Sequence, residues 1–211
     1  MGLMRLYWVP PGATAREGAY VHYPVEEMLA ILALESHRNH CTVIGEDLGT
    51  VPDAMRELLH RYGVLSYRLF IFERQRDGEF KPPETYPAAA LVSVSTHDLP
   101  TLAGWWVGSD IELRRKLRLY QDPAALHAQS AARNQDRIHL TRALQGAGLL
   151  PRDANAPGPM TPELAQAVHA YLARAPSRLM MIQLEDALGV VEQANLPGTT
   201  TEHPKIGRAH V

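Results

Sequence analysis

The sequence predicts an α/β fold of strand–loop–helix units with a parallel sheet, and three observations carry that prediction. Two short apolar runs, residues 41–44 and 89–95, are rich in β-branched residues and too short for helices. Each ends in a loop that carries acidic residues. Helical patterns separate the strands, and strand, loop and helix in alternation argue for βα packing rather than for a sandwich or a bundle.

The elements follow in order. Residues 3–9 are apolar and aromatic and stop at Pro10-Pro11-Gly12, which marks a loop. Residues 25–36 carry Met28, Leu29, Ile31, Leu32 and Leu34, the dense apolar face of a partly buried helix, with Pro24 suited to its first turn. The run Cys41-Thr-Val-Ile44 reads as a buried parallel strand ending at Gly45-Glu-Asp-Leu-Gly49. A helix is expected from Pro52 to about Tyr62, with Thr50 as its cap. Residues 66–72 are strand-like and precede a polar loop through Pro87. The strand at 89–95 ends at Thr96-His-Asp-Leu-Pro-Thr101. From Asp110 to about Gly148 the pattern is helical and more charged, residues 151–162 form a linker, and 164–174 are helical again. Residues 179–184 are strand-like and lead into Glu185-Asp186 and a loop through Thr200.

Composition removes several function classes. Of 211 residues, 45% are apolar and 21% charged, which is ordinary for a globular core. The formal net charge is −2, so no electrostatic case exists for nucleic acid or an anionic membrane as partner. The single cysteine, Cys41, excludes an intrachain disulfide and fits a reduced, cytoplasmic setting. No apolar run reaches the length of a membrane span. Residues 206–211, Ile-Gly-Arg-Ala-His-Val, back-translate to ATC GGA AGA GCA CAC GTC, the start of a common sequencing adapter, and are expected to be a translated artefact.

Two acids stand at the C-terminal ends of expected strands, Glu46 and Asp98, the latter beside His97. Strand ends of this kind are where βα folds present catalytic side chains. Taken singly, either acid also fits a cap on the following helix. Taken together, two carboxylates suit glycosidic bond chemistry, in which one donates a proton to the leaving oxygen and another attacks or stabilises the anomeric carbon. Other constellations are weaker. His37, His40 and Cys41 sit at a helix-to-strand junction with no further ligand nearby and read as a surface turn. Gly45 and Gly49 flank Glu46 without the Gly-Lys-Ser/Thr of a phosphate loop. Arg114, Arg115, Lys116 and Arg118 read as a solvated helix face.

Six segments then resemble one family. They are Met4-Arg-Leu-Tyr-Trp-Val-Pro10, Gly18-Ala-Tyr-Val-His-Tyr-Pro24, Ile31-Leu-Ala-Leu-Glu-Ser36, Val43-Ile-Gly-Glu-Asp-Leu-Gly-Thr-Val-Pro52, Ser95-Thr-His-Asp-Leu-Pro-Thr-Leu-Ala-Gly-Trp-Trp106 and Asn195-Leu-Pro-Gly-Thr199. In order, and over nearly all of residues 1–205, they resemble amylomaltases, the 4-α-glucanotransferases of bacterial maltodextrin metabolism.

The resemblance implies the C-terminal half of a (β/α)8 TIM barrel over residues 1–205, with a helical insertion at about 108–175. It implies Glu46 as general acid/base, Asp98 as the carboxylate that stabilises the oxocarbenium-like transition state, and His97 as a sugar-binding partner beside it. Tyr20 and Asn195 are carried over as substrate-binding positions. Trp8, Tyr67, Trp105 and Trp106 are further aromatic candidates, for most of which core packing is the better reading. The family's nucleophilic aspartate lies in an Arg-Ile-Asp-His motif directly upstream of the segment that begins here at Met1, and the motif does not occur in this sequence. Asp110 and Asp136 lie outside any matching context. The expected partners are maltodextrins and glucose acceptors, with no cofactor and no metal. Alone, the chain is expected to be inactive. Two rivals stand beside this reading: an α-amylase-class hydrolase, and an inert or weakly glucan-binding piece.

Overall fold

The computed structural model describes residues 2–120, 122–154 and 158–203, so the expectation for residues 206–211 lies outside it. The chain forms two compact units, one of Met1–Tyr67 with Ala89–Leu91 and one of Arg68–Ala88 with Val92–Val211.

The first unit opens with a hairpin of β1 (Arg5–Trp8) and β2 (Ala19–His22), antiparallel with Tyr7 opposite Tyr20. Strand β1 lies within the apolar and aromatic run at 3–9, and β2 has no β-branched run to mark it in sequence. Helix α1 (Val25–Arg38) matches its expected span, yet only Leu29 is fully buried, and Ile31 and Leu34 stand exposed. Helix α2 (Asp53–Arg61) starts one residue after Pro52, which takes the cap position itself, so Thr50 is not the cap. Proline fixes the entry angle there without offering a side-chain acceptor. Leu29, Met55, Leu59 and Val64 form this unit's core, with Val43, Val51 and Leu58 packed around them.

The expected strand at 41–44 is reduced to one parallel bridge, Ile44 to Leu65. A Cβ at Gly45 would sit tightly against the Val64 and Leu59 side chains at 3.2 and 3.4 Å, and the Gly45 N–H donates to the Leu65 carbonyl at 2.8 Å. Strand pairing stops and the chain turns into the loop bearing Glu46.

Strands β3 (Ser66–Leu69), β4 (Ala90–Ser93) and β5 (Leu179–Met181) form a three-stranded sheet in that order. The N–H of Ser66 donates to Ala89 and that of Ile71 to Val94, bonds that advance together along both segments as in a parallel pair. The strand expected at 66–72 ends early because residues Phe70–Phe72 coil into a 3₁₀ turn. Strand β4 is buried at every position, as its apolar run predicted.

The second unit is mainly helical: α3 (Leu102–Val107), α4 (Ser109–Lys116), α5 (Pro123–Gly146), α6 (Pro162–Leu172) and α7 (Leu184–Ala187). Their starts are written in sequence. Thr101, Asp122 and Thr161 each accept a backbone N–H of the first turn, and Pro123 and Pro162 occupy the first helical position. Gly108, at φ 77°, closes α3 and opens α4. Phe70, Phe80, Val92, Val94, Trp105, Trp106, Leu140, Leu144, Val168 and Leu172 belong to one core. Trp105 and Trp106 are therefore packing residues. Arg133 grips Asp110 through two bonds of 2.8 and 2.9 Å and lies over the Trp105 ring, and Arg74 pairs with Asp136 at 3.1 Å. Both aspartates that lacked a matching context thus have structural partners. His40, at φ 49°, turns the chain after α1, and Cys41 is exposed.

Candidate functional site

Glu46 is exposed, and its Oε1 accepts the N–H of Leu48 at 2.8 Å, a bond that folds the acidic loop back on itself. The residue that anchors this loop is its neighbour. Asp47 is only 3% exposed. Its Oδ1 accepts the N–H of Tyr67 at 2.9 Å, and its Oδ2 accepts Ser66 Oγ at 2.8 Å and Arg56 Nε at 3.3 Å. Arg56 also donates to the carbonyls of Asp47 and Val51. A buried carboxylate must be paired in this way, and the pairing ties the loop to α2 and to the start of β3. Sequence reasoning gave Asp47 no role. No local signal separates it from Glu46, since its partners Tyr67, Ser66 and Arg56 are brought near only by the fold.

Tyr20, on the β1–β2 hairpin, is 58% exposed and Trp8 is 55% exposed. The Tyr20 ring meets Tyr7 edge-on at 4.9 Å and lies under the Arg5 guanidinium at 4.6 Å. Trp8 Nε1 donates to the Tyr23 hydroxyl at 2.8 Å. The hairpin therefore offers fixed aromatic faces to solvent. Tyr67 is half-buried, with its backbone committed to Asp47.

In the second unit the segment after β4 makes a tight turn in which Leu99 N–H donates to Thr96 O, and Thr96 Oγ1 accepts Asp98 N–H at 3.3 Å. The turn leaves His97 exposed and Asp98 half-buried, with His97 Nε2 3.4 Å from Asp98 Oδ1. A second loop reaches Asp98 from far along the chain. Asn195 Nδ2 donates to Asp98 Oδ1 at 2.5 Å, and Gln193 Nε2 donates to the Asp98 carbonyl at 3.0 Å. The structure thus brings His97, Asp98 and Asn195 into one cluster. Glu46 and Tyr20 belong to the other unit.

The frame that carries this loop is rigid. Thr101 Oγ1 donates to the Val190 carbonyl at 2.7 Å, and Ser109 Oγ to that of Val191 at 3.3 Å. Any Cβ at Gly104 would collide with the Val191 carbonyl oxygen, so α3 approaches this segment as closely as backbone permits. Asp186 Oδ1 accepts the Leu102 N–H at 2.7 Å, capping α3 from α7. Leu196, fully buried, pins the loop from below. Among the described residues, no group of three or more His, Cys, Asp or Glu is placed to hold a metal ion.

The profile of glycoside hydrolase family 77, described as 4-alpha-glucanotransferase, matches residues 1–208. The chain belongs to the family 77 4-α-glucanotransferases. Among relatives of this family, the 4-alpha-glucanotransferase of Haemophilus influenzae is 42% identical over 207 residues, covering 97% of this chain and 29% of its own length. That of Mycobacterium bovis is 40% identical over 208 residues, covering 97% and 28%. The crystal structure of amylomaltase from Corynebacterium glutamicum superimposes with a TM-score of 0.86 at 30% identity, over 97% of this chain and 30% of that one. The chain therefore spans about three-tenths of the length of these family 77 relatives. Among the described residues, no helix is long and apolar enough to cross a membrane.

Proposed function

We propose that this chain is part of a cytoplasmic 4-α-glucanotransferase that moves α-1,4-glucan segments between maltodextrins, and that its strands belong to the C-terminal half of a (β/α)8 barrel. Residues 108–175, which hold α4, α5 and α6, are in this reading a helical insertion. The observation that carries the proposal is the Asp98 cluster. A half-buried carboxylate at the end of a buried strand is oriented by Asn195 and flanked by His97, within a chain of the glucanotransferase family.

In the mechanism that follows, an aspartate outside these 211 residues attacks the anomeric carbon of the donor while Glu46 protonates the departing glucan oxygen. The glycosidic bond breaks, a covalent glycosyl–enzyme ester forms, and the shortened glucan leaves with the proton from Glu46. Glu46, now a carboxylate, takes the proton of an incoming 4-hydroxyl, which attacks the anomeric carbon and displaces the aspartate with net retention. Asp98 stabilises the positive charge that builds on the ring at both transition states. The solvent-exposed position of Glu46 supports its role, because an acid that alternates between donor and acceptor needs access to both sugars. His97 contacts the sugar at the scissile bond, and Asn195 lines that subsite. The exposed face of Tyr20 stacks on a glucose ring and favours sugar over water as acceptor.

Product analysis separates this reading from hydrolysis. Incubation with maltotriose is expected to give glucose together with longer maltodextrins. Short sugars alone would identify a hydrolase, and no turnover by a chain extended upstream in its reading frame to the length of its relatives would leave only a binding role.

A further inference from the structure

We infer that Gln193 is a positioning residue for Asp98, setting the orientation of the catalytic carboxylate from a loop remote in sequence; this rests on the glucanotransferase reading above. Its side chain is 6% exposed and lies between the two loops. Both hydrogens of its amide are committed. Nε2 donates to the Asp98 carbonyl at 3.0 Å and to the Asn195 carbonyl at 2.6 Å. The orientation of the amide is forced, since the flipped form would aim Oε1 at two carbonyl oxygens. One planar group therefore fixes the main chain of Asp98 relative to the main chain of Asn195. That spacing is what lets Asn195 Nδ2 reach Asp98 Oδ1 at 2.5 Å.

Two further facts argue for more than loop packing. Gln193 Oε1 and Asn195 Oδ1 are both buried without a hydrogen-bond partner among the described residues. Gln193 Nε2 satisfies two main-chain carbonyls, whereas its Oε1 gains no bond, and a buried acceptor left unpaired works against folding. The second fact is rigidity. The backbone of Gln193 is itself held, its carbonyl 2.9 Å from His203 Nε2, and residues 190–191 are bonded to Thr101 and Ser109. The clip is thus anchored on the frame that carries α3.

A residue that acts through the transition-state carboxylate alters kcat and leaves ground-state binding alone. The test uses the upstream-extended chain with maltotriose as substrate. Gln193→Glu keeps the length and removes the donors, and Gln193→Met does so without adding charge. Each folded variant is expected to lose at least ten-fold in kcat with KM within about two-fold of the parent, by analogy with the loss of a single positioned donor. Folded variants with parental kcat would overturn the inference. So would kcat and KM drifting together in step with a lowered melting temperature, or failure of both variants to fold, since either assigns Gln193 to architecture alone. If the unsubstituted extended chain makes no longer maltodextrins, the glucanotransferase reading itself fails; ineffective Gln193 substitutions in an active enzyme leave that reading standing.

Discussion

At the scale of single residues, the two candidate catalytic acids are held by opposite means. Glu46 is exposed and accepts the Leu48 N–H, on a loop that Asp47 fixes through bonds from Tyr67, Ser66 and Arg56. Asp98 is half-buried and takes a hydrogen bond to the carboxylate itself from Asn195. Removing Asp47 leaves three donors unpaired, of which Arg56 retains some access to water. Asp47→Ala is therefore expected to destabilise the chain by roughly 2–4 kcal/mol. A shift of the urea midpoint at constant slope checks this, and a change below about 0.5 kcal/mol would mean that the Asp47 bonds carry no net weight. Glu46, Asp98 and His97 stand out in sequence as candidates because they follow apolar runs. Asp47 and Gln193 do not, since each works through bonds to residues whose nearness depends on the fold.

At the scale of elements, the helical stretches were readable but not their boundaries: one pattern at 110–148 covers α4 and α5, α3 was not separated, and short strands were read least well. Thr101, Asp122, Thr161, Pro123 and Pro162 announce their helices by local chemistry that needs no tertiary partner. The run at 41–44 has strand composition but finds only the Leu65 bridge, and β2 exists because β1 pairs with it. Gly104→Ala drives a methyl group into the Val191 carbonyl, which backbone bonding prevents from yielding, and is expected to cost roughly 1–3 kcal/mol. A melting temperature equal to that of the parent would show that α3 and the 190–196 loop are free to separate.

Burial raises the pKa of Asp186 above the ordinary carboxylate value, against the opposing pull of the Leu102 N–H. Between the ordinary value and the raised one, the folded chain holds a proton that the unfolded chain has released. Stability from this group is fullest in acid, below the unfolded value of 3.8, and falls as pH rises through the window up to the raised folded value. Asp186→Asn keeps an oxygen for Leu102 and removes the titration. Its melting temperature should match the parent's near about pH 3 and exceed it at neutral pH. A difference independent of pH would contradict this.

At the scale of the whole molecule, the family match over residues 1–208 and the 0.86 superposition at 30% identity place this chain along about three-tenths of the relatives' length. The proposed chemistry needs a third carboxylate, a nucleophile, and several acids of this chain are held by partners of their own. Asp110 and Asp136 are bound by Arg133 and Arg74, and Asp47 by Arg56. Asp186 caps α3. In the proposed reaction Glu46 and Asp98 act in glucan transfer with a nucleophile supplied from outside these 211 residues.

Disproportionation of maltotriose by two proteins tests that claim most directly: this chain alone, and the chain extended upstream in its reading frame to the length of its relatives. Glucose and longer maltodextrins are expected from the extended protein only, with transfer abolished there by Glu46→Gln or Asp98→Asn. Transfer by the 211-residue chain on its own would contradict the account, because one of its own acids would then be the nucleophile.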